Sequence, residues 1–272
     1  MLTVISRFLF TGSLILAVGA VISCSASQYD HPQASAAPPA QPTSAVPTAS
    51  SEIPQPAARD WQSIGSSVLG RPIRALTIGH GPRRVVFIGG IHGDEAEGAY
   101  TTAELPGAFN NAGLADAVTL TIIEDANPDG RATGTRANAN GVDVNRNFPA
   151  SNFDANNPIN GGSPLSQPES RAVYDTIEHA SPDLVIASHA WVNREFINFD
   201  GPARATAERF SADSGLPIEE SSEFASTPGS LGSYLGRDRG KELLTIEVRK
   251  GTTPTAAWDR LNLALIDAIR GS

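Results

Sequence analysis

The sequence predicts an α/β class protein: a single-domain three-layer α/β/α sandwich with a mixed, largely parallel central sheet. Three observations predict it. Short apolar runs alternate with helix-like stretches, the pattern of strands linked by helical crossovers. The folded part spans residues 59–272 of a 272-residue chain, enough for one full core. The apolar run Val85-Val86-Phe87-Ile88 ends in two glycines and then His92-Gly-Asp-Glu95, which puts polar side chains where open α/β sheets hold ligands.

The front of the chain reads differently. Arg7 is a small positive region, and residues 8–22 form an apolar stretch too short for a comfortable membrane span. It ends at Val21-Ile22-Ser23-Cys24, similar to a bacterial lipobox, which makes residues 1–23 a lipoprotein-type signal peptide and Cys24 the lipidation site. The other reading is an ordinary cleaved signal with an incidental cysteine; both export the chain. Cys24 is the one cysteine of the sequence, so no intrachain disulfide can form. Residues 24–58 are rich in Ala, Pro and Ser, with too few large apolar side chains to bury a core, and read as a disordered tether. The net charge of −9 and the lack of a basic stripe exclude nucleic acid as a partner.

Within the domain, residues 74–78 alternate as a strand. Gly79-His80-Gly81-Pro82 is turn chemistry, and residues 85–88 follow, so the two runs read as a hairpin. Helical sequence runs from Glu95 to about Leu105. Residues 117–124 form a further strand that enters the turn Asn127-Pro128-Asp129-Gly130. A long polar loop, 131–166, carries arginines and asparagines suited to an anionic ligand. Residues 167–180 are helical, with Pro168 and Glu169 at the start and His179 in the last turn, where it suits the helix dipole. Residues 183–188 are an apolar strand that ends at His189, the same placement as His92. A helix over 202–214, a glycine-rich segment 229–235, a strand over 241–248 and a helix over 254–269 complete the chain; Thr253 is the N-cap of the last helix and Gly271 follows it.

His92-Gly-Asp-Glu95, Asn127-Pro-Asp-Gly130, Gly141-Val-Asp-Val-Asn-Arg146-Asn-Phe-Pro149, His189 and Thr245-Ile-Glu247-Val248 stand in the order found in zinc carboxypeptidases of the carboxypeptidase A type. The chain resembles that family over most of residues 61–272, and within it the bacterial murein peptide amidase branch, which cuts the γ-D-glutamyl–diaminopimelate bond. The two-His, one-Glu zinc set belongs to the general description of carboxypeptidase A. The resemblance implies one zinc ion held by His92, Glu95 and His189. It makes Glu247 the general base, and the residue pattern supports that: Glu247 interrupts an apolar strand, where a carboxylate is costly without a task or a partner. A salt bridge to Arg249 or Lys250 is the bland alternative.

The resemblance further implies that Arg136 stabilises the oxyanion, and that Asn145 and Arg146 grip the substrate's free carboxylate. Tyr234 resembles the family's mobile tyrosine, with a core position as the other reading. Asp143 has two readings, support of a ligand histidine or a cap on the turn. Arg237-Asp238-Arg239 either recognises the far end of diaminopimelate or is a solvated charge run. His31, His80 and Arg131 are expected to have no role in catalysis.

The expected activity is therefore hydrolysis of the amide before a C-terminal residue with a free carboxylate, on peptide or murein peptide substrates. The enzyme is expected in the cell envelope, held to the membrane by an N-terminal lipid anchor. The murein branch acts on recycled tripeptide inside the cell, whereas this chain carries an export signal. Two rivals are a zinc deacylase of N-acyl amino acids, aspartoacylase-like, and a non-catalytic wall-binding lipoprotein.

Overall fold

The computed structural model describes residues 60–221 and 227–271. The expected signal peptide, the tether and Cys24 lie outside the described residues. In chain order the strands are β1 (Gln62–Ser66), β2 (Pro72–Ile78), β3 (Arg83–Ile88), β4 (Val118–Ile123), β5 (Leu184–Trp191), β6 (Phe196–Asp200) and β7 (Glu242–Arg249). The helices are α1 (Ala99–Asn111), α2 (Pro128–Thr133), α3 (Pro168–Ala180), α4 (Arg204–Ser214) and α5 (Pro254–Arg270). The strands form one sheet in the order β1-β2-β4-β3-β5-β7-β6. Strands β4, β3, β5 and β7 are parallel, while β1, β2 and β6 join antiparallel at the two margins.

Successive side chains of a strand point to opposite faces, and the central strands are apolar on both. Val85 and Phe87 face one layer with Leu105 and Phe109 of α1, Phe210 of α4 and Leu261 of α5. Val86 and Ile88 face the other, with Val173 and Ile177 of α3 and with Leu231 and Leu235. This double burial explains why β3 and the first half of β5 read as near-continuous apolar runs. The helix termini follow their sequence signals. Thr253 accepts from the Ala256 amide at 3.3 Å with Pro254 in the first turn of α5, and Pro168 opens α3.

The expected hairpin is not formed. Strand β4 lies between β2 and β3, antiparallel to one and parallel to the other. The turn at 79–82 reverses the chain, but β4 is buried on both faces except at the partly exposed Thr119, and it takes the more buried place between them. Two marginal strands, β1 and β6, were not expected. The 95–105 helix starts later, as a 3-10 turn at Ala96–Gly98 followed by α1. Asn127-Pro-Asp-Gly is more than a turn: the Asn127 side chain accepts from the Gly130 amide at 3.0 Å and caps α2.

The topology positions the site. From β3 the chain crosses by α1 to β4 on one side, then by α3 to β5 on the other side of β3. Helices α1 and α3 pack on opposite faces of the sheet. The carboxyl ends of β3 and β5 therefore open on a crevice, where the strand order reverses.

Candidate active site

His92 and Glu95 stand on the turn that leaves β3. Gly90 has φ +66°, a conformation glycine adopts freely. A side chain at Gly93 would come 1.9 Å from the Gly130 backbone, so the turn packs directly on α2. These two glycines bring the ligand turn close against its neighbour. His189 comes from β5, next in the sheet to β3.

The three side chains converge. His92 Nδ1 is 2.8 Å from Glu95 Oε1, and His189 Nδ1 is 3.0 Å from both Glu95 Oε2 and His92 Nδ1. All three are buried. Each histidine turns its other nitrogen outward, His92 Nε2 to Asp143 Oδ1 at 3.1 Å and His189 Nε2 to the Asn145 amide at 3.5 Å. Two imidazole nitrogens and a carboxylate aimed at one point, with ring orientation held from behind, are the donor type and number of a catalytic zinc site. The residues fit a zinc ion.

The electrostatics are those of a site built for a cation. Burial alone would raise the Glu95 carboxyl, but contacts with His189 and His92 outweigh it and hold the group ionised. Asp143 shows the same balance, with His92, Arg136 and Arg146 overcoming burial. Arg136 ties the two carboxylates together, through Nε to Asp143 Oδ2 at 2.9 Å and Nη1 to Glu95 Oε1 at 3.2 Å. Asp143 also accepts from the Asn145 amide at 2.9 Å. Both roles read for Asp143 in the sequence are thus held by one carboxylate.

A cavity of about 510 Å³ opens on the triad. One wall comes from alternate residues of paired strands: Thr245 and Glu247 of β7, with Phe196, Asn198 and Asp200 of β6. Phe196 is in register with Glu247, and Asn198 with Thr245. Glu247 sits beside His189 across the β5–β7 pair. Its Oε2 is buried and has no hydrogen-bond partner among the described residues. Burial, with the Glu95 charge adding to it, pushes this carboxyl up to about 7, against His189 and Arg136. The salt-bridge alternative finds no support here: Lys250 pairs with Asp94 at 2.5 Å.

Arg146 lines the cavity, half-buried. Its guanidinium donates to the Asn145 carbonyl at 2.7 Å, and no carboxylate lies within ion-pair distance of it among the described residues. The Asn145 side chain is partly committed elsewhere: its oxygen accepts from the Leu231 amide at 3.0 Å.

Tyr234 is placed outside this cavity. It is 6% exposed, its ring packs near Phe148 and Tyr174, and its hydroxyl donates to Glu178 at 3.0 Å on the α3 side. Expected as a substrate-closing residue, Tyr234 is instead core. Of the run Arg237-Asp238-Arg239, Arg237 lines the cavity, Asp238 holds Arg237 and Ser151, and Arg239 pairs with Glu178. Sequence reasoning missed Asn198 and Asp200, because β6 was not recognised as a strand. The signal was present but short: Ile197-Asn198-Phe199-Asp200 alternates apolar and polar after the apolar Phe196. Asn147 was also missed as a structural hub. Fully buried, its amide donates to the Asn160 and Ser163 carbonyls at 2.7 and 2.9 Å and so orders the long loop.

Comparison with known proteins agrees with this geometry. A family model described as zinc carboxypeptidase matches residues 53–203. Murein peptide amidase A of Vibrio campbellii is 30% identical over 204 residues, 68% of this chain and 78% of that protein. Gamma-D-glutamyl-L-diamino acid endopeptidase 1 of Lysinibacillus sphaericus is 27% identical over 70% of this chain and 61% of its own length. The crystal structure of a murein-tripeptide amidase from Escherichia coli O157 superposes with a TM-score of 0.60 at 25% identity, covering 80% of this chain and 97% of that one. Thrombin activatable fibrinolysis inhibitor gives 0.66 at 19% identity, over 78% of this chain and 67% of its own.

Proposed function

The chain belongs to the zinc carboxypeptidase family, and from that premise we propose that it hydrolyses the γ-D-glutamyl–diaminopimelate bond of murein peptides, releasing a residue with a free carboxylate. The observation that carries this reading is the pairing, in one cavity, of the buried Glu247 oxygen with Arg146, neither of which has a partner of this kind among the described residues: no hydrogen bond to the first, no carboxylate on the second. The first suits proton transfer, the second an anionic substrate end. The murein substrate is supported by the relatives named above.

Zinc, when bound, polarises a carbonyl and makes water a nucleophile near neutral pH. The chain's residues supply the rest. Glu247 takes the proton of the attacking water and passes it to the leaving amine. Arg136, beside Glu95, offers positive charge where the carbonyl oxygen gains negative charge. Arg146 fixes the free carboxylate, and Asn145 holds His189 from behind. No covalent intermediate with the chain is needed.

The setting belongs to the same proposal. The lipobox-like Val21-Ile22-Ser23-Cys24 supports export and a lipid tether, which would bring the enzyme to wall peptides. The test is release of diaminopimelate from L-Ala-γ-D-Glu-diaminopimelate by the purified protein. Release that a chelator stops and zinc restores is the expected result. Chelator-sensitive cleavage of ordinary C-terminal residues alone would keep the site and discard the murein substrate.

A further inference from the structure

We propose that Asp94, Glu97 and Lys250 are positioning residues: two side-chain links across the carboxyl end of the sheet hold the chain just past Glu247 to the turn that carries His92 and Glu95, and so set where the base stands. This rests on the reading of Glu247 as the base and goes beyond it.

The base itself shows why a link matters. Glu247 Oε2 is buried and has no hydrogen-bond partner among the described residues. No bond there orients the carboxylate, so its aim depends on where the backbone of β7 is held. Strand β7 is not next to β3, because β5 lies between them. The β5–β7 ladder ends at Trp191 and Arg249, two residues past Glu247. The Lys250 amide then donates to the Trp191 carbonyl at 2.8 Å, and the chain turns at Gly251, with φ +89°, toward α5.

Both links are made at this turn. Lys250 Nζ reaches Asp94 Oδ2 at 2.5 Å, and the Gly251 amide donates to Glu97 Oε1 at 2.7 Å. They join segments 156 and 154 positions apart. Asp94 stands between His92 and Glu95, and Glu97 follows on the 3-10 turn Ala96–Gly98. The ligand turn thus reaches past the end of β5 to the strand that bears the base. On the way, Glu95 Oε2 accepts from the Ala190 amide at 3.1 Å, beside His189. Bonds from one turn therefore tie the carboxyl ends of β3, β5 and β7 together.

Glu97 is not a surface residue that happens to meet an amide. It is 7% exposed, and its Oε2 is buried with no hydrogen-bond partner among the described residues. A buried carboxylate with one oxygen unsatisfied is costly, and its other oxygen is committed to the backbone four residues past the base. The Lys250–Asp94 pair is more open, its side chains 33% and 27% exposed. Pairs near the surface add little to stability, so loss of this one should be felt in the placement of Glu247 rather than in folding.

The experiment compares purified wild type with Lys250→Met, Lys250→Arg and Asp94→Asn/Lys250→Met. The substrate is whichever of L-Ala-γ-D-Glu-diaminopimelate and an α-linked N-acyl dipeptide the wild type cuts faster. A misplacement of about 1 Å can lower a rate about 10²-fold, so Lys250→Met should lower kcat roughly 10- to 100-fold while KM and the zinc dissociation constant stay within about threefold. Lys250→Arg should recover most of the loss. The double variant keeps the wild-type net charge and should be as slow as Lys250→Met. In a Glu247→Gln background, Lys250→Met should lower kcat no further, because it acts through the base. Amide exchange over residues 246–251 of the metal-free protein should quicken in Lys250→Met, with β3 still protected. Recovery of kcat in the double variant, or a shifted pH limb of kcat/KM in Lys250→Met, would assign the effect to charge and overturn the proposal. Unchanged exchange, or quicker exchange with unchanged kcat, would overturn it too. Turnover lost with Glu247→Gln but kept in Lys250→Met removes the positioning role and leaves the base. Turnover kept with Glu247→Gln, or a wild type that cuts neither substrate, removes both.

Discussion

Asp143 Oδ1 lies 3.1 Å from His92 Nε2 and so fixes which ring nitrogen faces Glu95. The same oxygen caps the turn at Asn145. Asp143→Asn keeps a capping side chain but loses the negative charge behind the ring. Loss of such a partner typically weakens metal binding about 10- to 100-fold. Competition with a chelator of known affinity should show a zinc dissociation constant raised by that factor, with Tm of the metal-free protein little changed. An unaltered dissociation constant would make Asp143 a cap alone.

Glu247→Gln tests the base. The amide has nearly the same shape, so the cavity should persist. Proton transfer by a positioned base contributes about 10²- to 10⁴-fold, and kcat should fall by at least a hundredfold. Zinc content measured by mass spectrometry should stay at one ion per chain. Turnover near the wild-type rate would remove Glu247 from the mechanism.

The pH dependence follows from the same residue. Burial, with Glu95 adding to it, lifts its carboxyl from 4.5 to about 7 in the metal-free protein. A dication nearby favours the ionised form and draws the value back down. The base works ionised, so kcat/KM should rise with pH through a limb between 4.5 and 7. Stability of the metal-free protein runs the other way. The folded state binds more protons than the unfolded state in that window, so stability falls as pH rises through it. Profiles of kcat/KM and of metal-free Tm check both signs. A kcat/KM flat from pH 4.5 to 7 would refute the assignment.

Much of the site was legible because its residues sit at strand ends. His92 and His189 follow apolar runs, and Glu247 interrupts one; both patterns survive without knowledge of the fold. What the sequence hid were the relationships between distant segments. Nothing local says that β4 inserts between β2 and β3, since pairing partners are chosen by which strand can be buried on both faces. Nor does any local pattern say that Asp143 serves a histidine 51 positions away. Strand β6 was hidden because its alternation is short and its polar positions face the cavity rather than bulk water. Tyr234 was misjudged for a related reason: glycines on either side suggested motion, whereas Gly232 and Gly236 clear space for Asp200.

Arg146 offers a test of substrate anchoring. Its charge faces the cavity without a carboxylate in ion-pair distance among the described residues, and burial lowers its pKa against the pull of Asp143. A bound free carboxylate would supply the missing partner. Arg146→Ala should raise KM roughly 10- to 100-fold, the equivalent of one charged hydrogen bond. The preference of the wild type for a free carboxylate over the C-terminal amide should vanish with it. Retention of that preference would move the anchor to another residue.

The position of Tyr234 leads to a stability prediction rather than a kinetic one. Its ring lies between Phe148 and Tyr174, and its hydroxyl meets Glu178, which also pairs with Arg239. Tyr234→Ala removes a buried aromatic ring and should cost about 3–5 kcal/mol, read as a loss in the denaturant midpoint. Tyr234→Phe keeps the ring and loses the two hydrogen bonds of the hydroxyl, to Glu178 and from Arg239, together about 1–2 kcal/mol, because Arg239 still neutralises Glu178. In neither soluble variant should KM for the leaving residue move by more than about twofold, since the side chain does not reach the cavity. A Tyr234→Phe enzyme with unchanged stability and a KM raised tenfold would show that the tyrosine does close over the substrate, by a rearrangement of the Gly232–Arg237 turn.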